Sequence, residues 1–158
     1  MAPSRLKVLI ADDDPVFQAL AQSSLQSAGH AADTVDDGAA ALEALRTRYD
    51  AAIVDLIMPN VDGFRLIALI RSTPGLEHLP IVVLSSRNDA AAVEEAYRLG
   101  ADAFETKPVN WTLFPLHLAH IVRTARTIAD LKSKLARHLH EDGRAITSRT
   151  SASRTGSH

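Results

Sequence analysis

The chain has 158 residues, of which 46% are hydrophobic, and its net charge is -2 at pH 7. That length suits one domain with a well-buried core and is too short for two comfortable domains. The near-neutral charge excludes a general attraction to nucleic acid, and the absence of cysteine excludes disulfides, thiolate metal sites and a cysteine nucleophile. Because no apolar window is long enough for a signal peptide or a membrane span, we expect a cytoplasmic protein that binds neither nucleic acid directly nor a membrane.

Short apolar runs alternate with amphipathic segments along most of the chain. The apolar runs predict strands at residues 6–11, 31–35, 51–54, 80–84 and 101–106. The segments between them predict helices at residues 15–28, after Asp37-Gly38, at 64–71 and at 88–99. Strands that are almost continuously apolar and alternate with helices indicate a parallel sheet covered on both faces. With right-handed crossovers, the five strands predict a doubly wound α/β domain.

The region from about Trp111 to His140 has the pattern of one long amphipathic helix. Its apolar seam follows heptad steps of four and three, at Phe114, Leu118, Ile121, Ala125, Ile128, Lys132, Leu135 and Leu139. Thirty helical residues span about 45 Å, which exceeds what a domain of this size covers, so the second half is expected to project. The seam predicts a parallel coiled-coil homodimer that the lysine weakens. The alternative is a helix that packs on its own domain and then frays.

The predicted organisation therefore has four parts. Residues 1–5 are a short lead, 6–122 the α/β domain, 123–141 a helical extension that forms the coiled coil, and 142–158 a tail rich in Ser, Thr and Arg. The tail contains one strongly apolar residue, Ile146, and is expected to be disordered because it buries too little surface to order itself.

Residues that handle phosphate or a metal ion follow four of the predicted strands: Asp12-Asp13-Asp14, Asp55, Ser85 and Lys107. The ends of parallel strands share one edge of a sheet, so these groups are expected to meet in one crevice. Asp12 and Asp13 repel one another unless a cation lies between them, and Mg²⁺ is the ion that suits carboxylate oxygens. Taken alone, Asp14 is equally explained as a helix N-cap and its neighbours as a solvated loop.

Asp55, Ser85 and Lys107 complete a set of groups suited to phosphoryl transfer. A carboxylate accepts a phosphoryl group as a covalent aspartyl phosphate. A hydroxyl donates a hydrogen bond to a phosphoryl oxygen, and an ammonium supplies a point charge. Each residue alone is more simply a loop or turn residue. Their joint occurrence at successive strand ends indicates phosphoryl transfer assisted by a divalent metal.

Four segments that contain these residues resemble one known family. They are residues 8–15 (VLIADDDP), 55–63 (DLIMPNVDG), 80–86 (PIVVLSS) and 100–108 (GADAFETKP). Together they resemble the receiver domain of bacterial two-component response regulators, the CheY-like family, over about residues 6–139. The resemblance implies a flavodoxin-like sheet of order 2-1-3-4-5 with helices on both faces. It also implies a phosphoacceptor signalling domain, with at most self-phosphorylation and autodephosphorylation, rather than an enzyme.

The resemblance assigns roles to individual positions. It implies that Asp55 takes the phosphoryl group from a phosphohistidine on a histidine kinase or a phosphotransfer protein. It implies that Asp12, Asp13 and Asp55 hold Mg²⁺ together with the backbone carbonyl of Ile57. An apolar side chain at Ile57 would not position an attacking water, so a persistent phosphoryl group is expected.

The resemblance also implies a switch formed by Ser85 and Phe104. Ser85 and Lys107 would contact the phosphoryl oxygens. Ser85 would move toward the phosphate and Phe104 would turn inward, which repacks the surface of the last two helix–strand units. The sequence departs from the commoner pattern in two ways. Serine stands where threonine is more usual, although the oxygen is kept, and Phe104 lacks a phenolic oxygen for a partner contact.

Asn110-Trp111 and the long helix after them resemble receivers that precede cyclic-dinucleotide synthases or sensor kinases. The chain is therefore expected to be either a stand-alone receiver or a part of a larger regulator. Two rival functions are a pseudo-receiver interaction module and a haloacid-dehalogenase-type phosphatase. The phosphatase would use Asp12-x-Asp14-x-Val16 as its nucleophile motif, but it needs a further acidic pair after the lysine. Lys107 is followed by no acid until Asp130.

Overall fold

A computed structural model describes residues 4–152 of the protein, with side chains described as far as residue 145. The strands are β1 (Lys7–Ala11), β2 (Ala31–Val35), β3 (Ala51–Val54), β4 (Ile81–Ser85) and β5 (Ala103–Thr106). The helices are α1 (Pro15–Ser27), α2 (Gly38–Ala44), α3 (Gly63–Ser72), α4 (Ala90–Leu99) and α5 (Phe114–Ala152). All strands are parallel and lie in the order β2-β1-β3-β4-β5. The predicted doubly wound α/β fold and its strand order are confirmed.

The central strands are apolar on both sides because both faces of the sheet are covered. Every residue of β3 and β4 is buried. On one face, alternate strand residues such as Leu9 and Val83 pack with Leu66 and Ile70 of α3. On the other face, residues such as Ile10 and Val82 pack with the buried side of α1 and with the first turns of α5, at Phe114, Leu118 and Val122. The first part of the predicted seam therefore does cover the sheet.

The register of the strands aligns their carboxyl ends. Ala11 at the end of β1 pairs with Val54 at the end of β3, and Val54 pairs with Val83 of β4. On the far side, Ser85 pairs with Thr106 at the end of β5. The residues that follow β1, β3 and β5 and the last residue of β4 consequently lie along one edge of the sheet.

Aspartate caps four of the helices, and in each case its carboxylate accepts a backbone N–H of the first turn. The caps are Asp14, Asp37, Asp62 and Asp89, for α1, α2, α3 and α4 respectively. An N-cap of this kind contributes about 1 kcal/mol to helix stability. The N-cap interpretation of Asp14 is confirmed, since its Oδ1 accepts from Val16 N at 2.9 Å. Helix α4 ends at Gly100, whose φ of 116° is readily available to glycine.

Contacts divide the described chain into two units, one ending at Ala125 and one beginning at Arg126. The first holds the sheet and its helices. The second consists of the continuation of α5, where Ile128, Leu131, Leu135 and Leu139 are between 47% and 62% exposed. Within the described residues, no helix is both long enough and apolar enough to cross a membrane.

The end of α5 differs from the predicted boundary. The sequence pattern predicts an end at residue 141 and a disordered tail from 142, whereas the helix continues to Ala152. Because no proline interrupts residues 142–152 and Gly143 is their one strong helix breaker, local preference allows the helix to continue. The predicted division of this region into a coiled-coil extension and a tail stays a prediction. The rest of the predicted tail, residues 153–158, and the first three residues of the lead lie outside the described residues.

Candidate functional site

Asp12 and Asp55 lie next to each other at the edge of the sheet. The hydrogen bonding between strands continues one residue past the ends of β1 and β3, and so includes both aspartates. The backbone N–H of Asp55 donates to Ala11 O at 3.0 Å, and that of Asp12 donates to Val35 O at 3.1 Å. Asp12 and Asp55 are both buried, at 1% and 7% exposure, whereas Asp13 is exposed. Carboxylate oxygens of all three aspartates lie within 4.8 Å of one another. The fold thus collects the predicted acidic cluster from β1 and β3.

Lys107 is the cation of this cluster. Its Nζ lies 2.7 Å from Asp12 Oδ2 and 3.3 Å from Asp55 Oδ2. Its backbone N–H donates to Ser85 O at 2.9 Å, which ties the end of β5 to the end of β4, and the bond to Pro108 is cis. The ammonium is therefore held more closely by Asp12 than by Asp55. The sequence predicted a contact between Lys107 and phosphate, which stays a prediction. The pairing of Lys107 with Asp12 is a further contact that the sequence did not predict.

The electrostatics of the pair follow from burial and contact. Burial raises the pKa of Asp12 above the ordinary carboxyl value, and the hydrogen bond from Lys107 opposes that rise. Burial also opposes the charge of Lys107, but its contacts with Asp12 and Asp55 outweigh this effect and raise the pKa of the ammonium. Lys107 is accordingly a fixed positive charge at neutral pH.

The remaining predicted site residues surround this centre. Ser85 is fully buried, and its Oγ accepts a hydrogen bond from Arg87 N at 3.2 Å. The backbone N–H of Ile57 donates to Asp55 Oδ1 at 3.3 Å, while its side chain is 60% exposed. Phe104 is partly buried and packs against the core on the α3 and α4 face of the sheet. The use of the Ile57 carbonyl as a metal ligand stays a prediction.

Gly63 holds the loop after β3 close to the start of α3. Its N–H donates to Leu56 O at 3.0 Å. A Cβ at this position would lie 2.2 Å from Asp55 O and 2.6 Å from the Cα of Leu56. Glycine is required here because the chain returns against the backbone of Asp55, so the predicted Asp62-Gly63 turn also supports the aspartate itself.

The sequence analysis did not identify two residues at the edge of the site. The amide of Gln18 donates to the backbone carbonyl of Asp12 and, at 2.8 Å, to the carboxylate of Asp36, which joins the ends of β1 and β2. The ring of Phe17 lies under Lys107, with Nζ 3.8 Å from the ring centroid. The sequence feature that could have indicated Gln18 and Phe17 is their position in the first turns of the helix that directly follows the acidic pair.

A sequence model described as the response regulator receiver domain matches residues 8–116. The chain belongs to this family. The receiver is similar to the transcriptional regulatory protein RprY of Bacteroides fragilis, with 30% identity over 123 residues that cover 77% of this chain and 51% of that protein. The chain therefore spans about half the length of this relative. Receiver domains are phosphoacceptor signalling modules rather than classical enzymes.

Solved structures support the same assignment. A sensor protein from a Polaromonas species is 31% identical, with a TM-score of 0.71 over 77% of this chain and 99% of that chain. The receiver domain of a sensor histidine kinase from Pseudomonas aeruginosa is 26% identical, with a TM-score of 0.70 over 75% of this chain and 98% of that chain. That domain was solved with a magnesium ion coordinated in its active site cleft.

The acidic cluster of this receiver fits a divalent metal ion. Three carboxylates that supply oxygen atoms within 4.8 Å of one another form a donor set for a hard cation. Asp14 takes no part in this set, because it caps α1. The phosphatase alternative would need Asp14 in its motif, and family membership leaves that alternative without support.

Proposed function

We propose that this receiver accepts a phosphoryl group on Asp55 from a phosphohistidine of a histidine kinase or phosphotransfer protein. The observation that carries the proposal is the position of the Asp55 carboxylate. It lies 3.3 Å from the ammonium of Lys107 and within 4.8 Å of the other two acidic side chains, in a chain that belongs to the receiver family. A carboxylate, an ammonium and a possible metal-binding set therefore lie close together, which supports the proposal.

In the proposed reaction, a carboxylate oxygen of Asp55 forms a bond to phosphorus while the phosphorus–nitrogen bond to the donor histidine breaks. The bonding electrons of that bond return to the imidazole nitrogen, and the product on this chain is an aspartyl phosphate. Mg²⁺, held by Asp12, Asp13 and Asp55 with the carbonyl of Ile57, would neutralise charge on the transferring group. Lys107, whose Nζ lies 2.7 Å from Asp12 Oδ2 and 3.3 Å from Asp55 Oδ2, would lie beside the new phosphoryl oxygens.

Ser85 and Phe104 are proposed to convert phosphorylation into a change of surface. Because Ser85 Oγ accepts a hydrogen bond from Arg87 N, its hydroxyl hydrogen is available for donation to a phosphoryl oxygen. Movement of Ser85 would draw the loop after β4 toward Asp55. The partly buried Phe104 on the neighbouring strand would then turn into the space this opens. The local charge thus biases a two-state element.

Intact-mass spectrometry tests the phosphoacceptor directly. The protein is incubated with Mg²⁺ and acetyl phosphate, and one added phosphoryl group is expected in the wild type and none in Asp55→Ala. Label retained in Asp55→Ala would place the acceptor on Asp12, Asp13 or Asp14 and sink the assignment. Turnover of a generic phosphomonoester by the wild type would favour a phosphatase instead.

Ile57 is proposed to give the aspartyl phosphate a long lifetime. Its exposed apolar side chain follows Asp55 by two positions and offers no hydrogen bond to an attacking water. Ile57→Asn should therefore shorten the lifetime measured by the decay of the labelled species. An unchanged decay rate would contradict this role.

We also propose that the second unit forms a parallel homodimer. The exposed residues Ile128, Leu131, Leu135 and Leu139 leave an apolar stripe on α5 that a second copy would bury. Light scattering should report a dimer for the wild type and a monomer for Leu135→Glu. Leu116→Glu is the matched control, because Leu116 is 67% exposed on the same helix and lies outside the seam. A monomer with and without phosphorylation would end the proposal.

A further inference from the structure

The ammonium of Lys107 rests on an aromatic ring as well as between two carboxylates. Its Nζ lies 3.8 Å from the centroid of Phe17. The ring belongs to the buried side of α1 and is 7% exposed. Cations within about 6 Å of a ring centroid are attracted to its face, and the attraction grows when water is excluded. Phe17 is therefore a third partner of the Lys107 ammonium, in addition to Asp12 and Asp55.

This ring begins an aromatic stack that leads away from the acidic cluster. Phe17 and Trp111 have ring centroids 5.2 Å apart with a tilt of 58°. Trp111 and Phe114 follow at 5.8 Å in an edge-to-face arrangement. Tilted and edge-to-face pairs at these distances are favourable beyond their buried area. The stack runs from the site to the first residue of α5.

The backbone of Trp111 is bonded to α1. The hydroxyl of Ser24 on α1 donates to Trp111 O at 2.7 Å. Trp111 also lines an open cavity of about 440 Å³ together with Leu20, Ser24 and Pro115. Movement of Phe17 would consequently reach the ring of a residue whose backbone is bonded to α1 and which lines this cavity.

The ring of Phe17 helps to fix the position of the Lys107 ammonium, which the two carboxylates alone do not fix. A lysine ammonium on a flexible four-carbon stem follows whichever charge attracts it most. The nearest charges are Asp12 and Asp55, at 2.7 and 3.3 Å. Both carboxylates are also members of the metal-binding set, so their oxygens become less available to Lys107 when a divalent cation binds. The uncharged face of Phe17 keeps its attraction for the ammonium in either condition.

We propose that Phe17 is a positioning residue for Lys107, and that it transmits the position of the ammonium to Trp111 through the aromatic stack. The proposal rests on the proposed phosphoacceptor function for its kinetic consequence. The direct contact is independent of that function. Phe17 is not itself proposed as catalytic, because its role is to hold Lys107 and not to act on the reacting atoms.

Three substitutions distinguish the contact between the Phe17 ring and the Lys107 ammonium from the apolar packing of the Phe17 side chain. Phe17→Leu removes the ring but keeps an apolar side chain, whereas Phe17→Tyr keeps the ring. Phe114→Leu makes the same chemical change in the same stack, at a buried ring that is separated from Lys107 by Trp111 and Phe17. All rates are normalised to the folded fraction of each variant, measured by thermal unfolding, so that a loss of stability alone does not count.

The first measurement is the proton NMR shift of the Lys107 side-chain methylenes, assigned by comparison with Lys107→Arg. An aromatic ring under the ammonium should shift these protons upfield in the wild type, Phe17→Tyr and Phe114→Leu. The shift should be lost in Phe17→Leu. The second measurement is the change in emission of Trp111, the single tryptophan of the sequence, when Mg²⁺ is added, which should shrink in Phe17→Leu.

The third measurement is the rate of labelling by acetyl phosphate. We expect Phe17→Leu to be slower than the wild type by about five- to tenfold, with Phe17→Tyr restored and Phe114→Leu unchanged. Equal rates in the wild type and Phe17→Leu would overturn the positioning role. Absence of labelling in the wild type would instead count against the proposed function, and the methylene shifts would then decide whether Phe17 holds Lys107.

Discussion

Replacing Gly63 with alanine tests the close approach between the start of α3 and the backbone of Asp55, the proposed phosphoacceptor. The added Cβ would lie 2.2 Å from Asp55 O, whereas ordinary contact begins at 3.4 Å, so the two must separate by 1.2 Å. The opposing atoms are backbone and cannot rotate away. Overpacking a rigid site costs about 3 kcal/mol at the upper end of the usual range. For a domain of this size the melting temperature should fall by roughly 10 °C.

Gly75→Ala is the matched control for this prediction. Gly75 has a φ of 88°, and nothing lies within 4 Å of a Cβ built on it, so its substitution carries backbone strain without a collision. That strain amounts to about 1 kcal/mol. Urea unfolding should place Gly63→Ala well below Gly75→Ala in stability, and labelling by acetyl phosphate should slow only in Gly63→Ala. If Gly63→Ala were as stable as the control and labelled normally, the loop would not depend on this contact.

Other predictions concern the core, pH and metal. Arg71 donates to Leu79 O at 2.7 Å and to Gly100 O at 2.8 Å, so Arg71→Met should lower the free energy of unfolding by about 2–3 kcal/mol, measured in urea. His30 is buried and accepts a hydrogen bond from Leu6 N, and burial lowers its pKa below the ordinary 6.5. Its contribution is complete above that value and is lost as the pH falls to the folded pKa, so His30→Asn should flatten stability measured between about pH 5 and 7.5. Mg²⁺ at a hundred times its dissociation constant should raise the free energy of unfolding by about 2.7 kcal/mol, and a chelator should abolish the gain.

The strand ends were predictable because the sheet is covered on both faces. A strand buried on both sides is an uninterrupted apolar run, so its first polar residue marks the edge of the sheet. This is why the ends of β1 and β3 were located at Asp12 and Asp55 from the sequence alone. The register then brought them together, since Ala11 and Val54 are paired.

Other features depend on contacts that local sequence does not encode. Lys107 pairs with Asp12 across 95 positions of the chain, and no spacing rule selects that partner over Asp55. Apolar periodicity places Phe17 on the inward side of α1 but cannot distinguish a ring that fills the core from one that also contacts a cation. The residues after Asp142 have weak local preferences, which neither end a helix nor require one, so the sequence alone does not determine where α5 ends.

The short contact between Lys107 and Asp12 has a consequence for the charge balance of the site. Three carboxylates and one ammonium leave a net charge of -2, which one divalent cation cancels. The proposed conversion of the Asp55 carboxylate to an acyl phosphate dianion would then add a single negative charge to a neutral centre. Because Asp12 and Asp55 are buried, that charge is poorly screened by solvent and acts over a longer distance than a surface charge would. With the metal ion bound, the net charge of the site would be zero before phosphorylation. Phosphorylation would then change that net charge by one elementary charge.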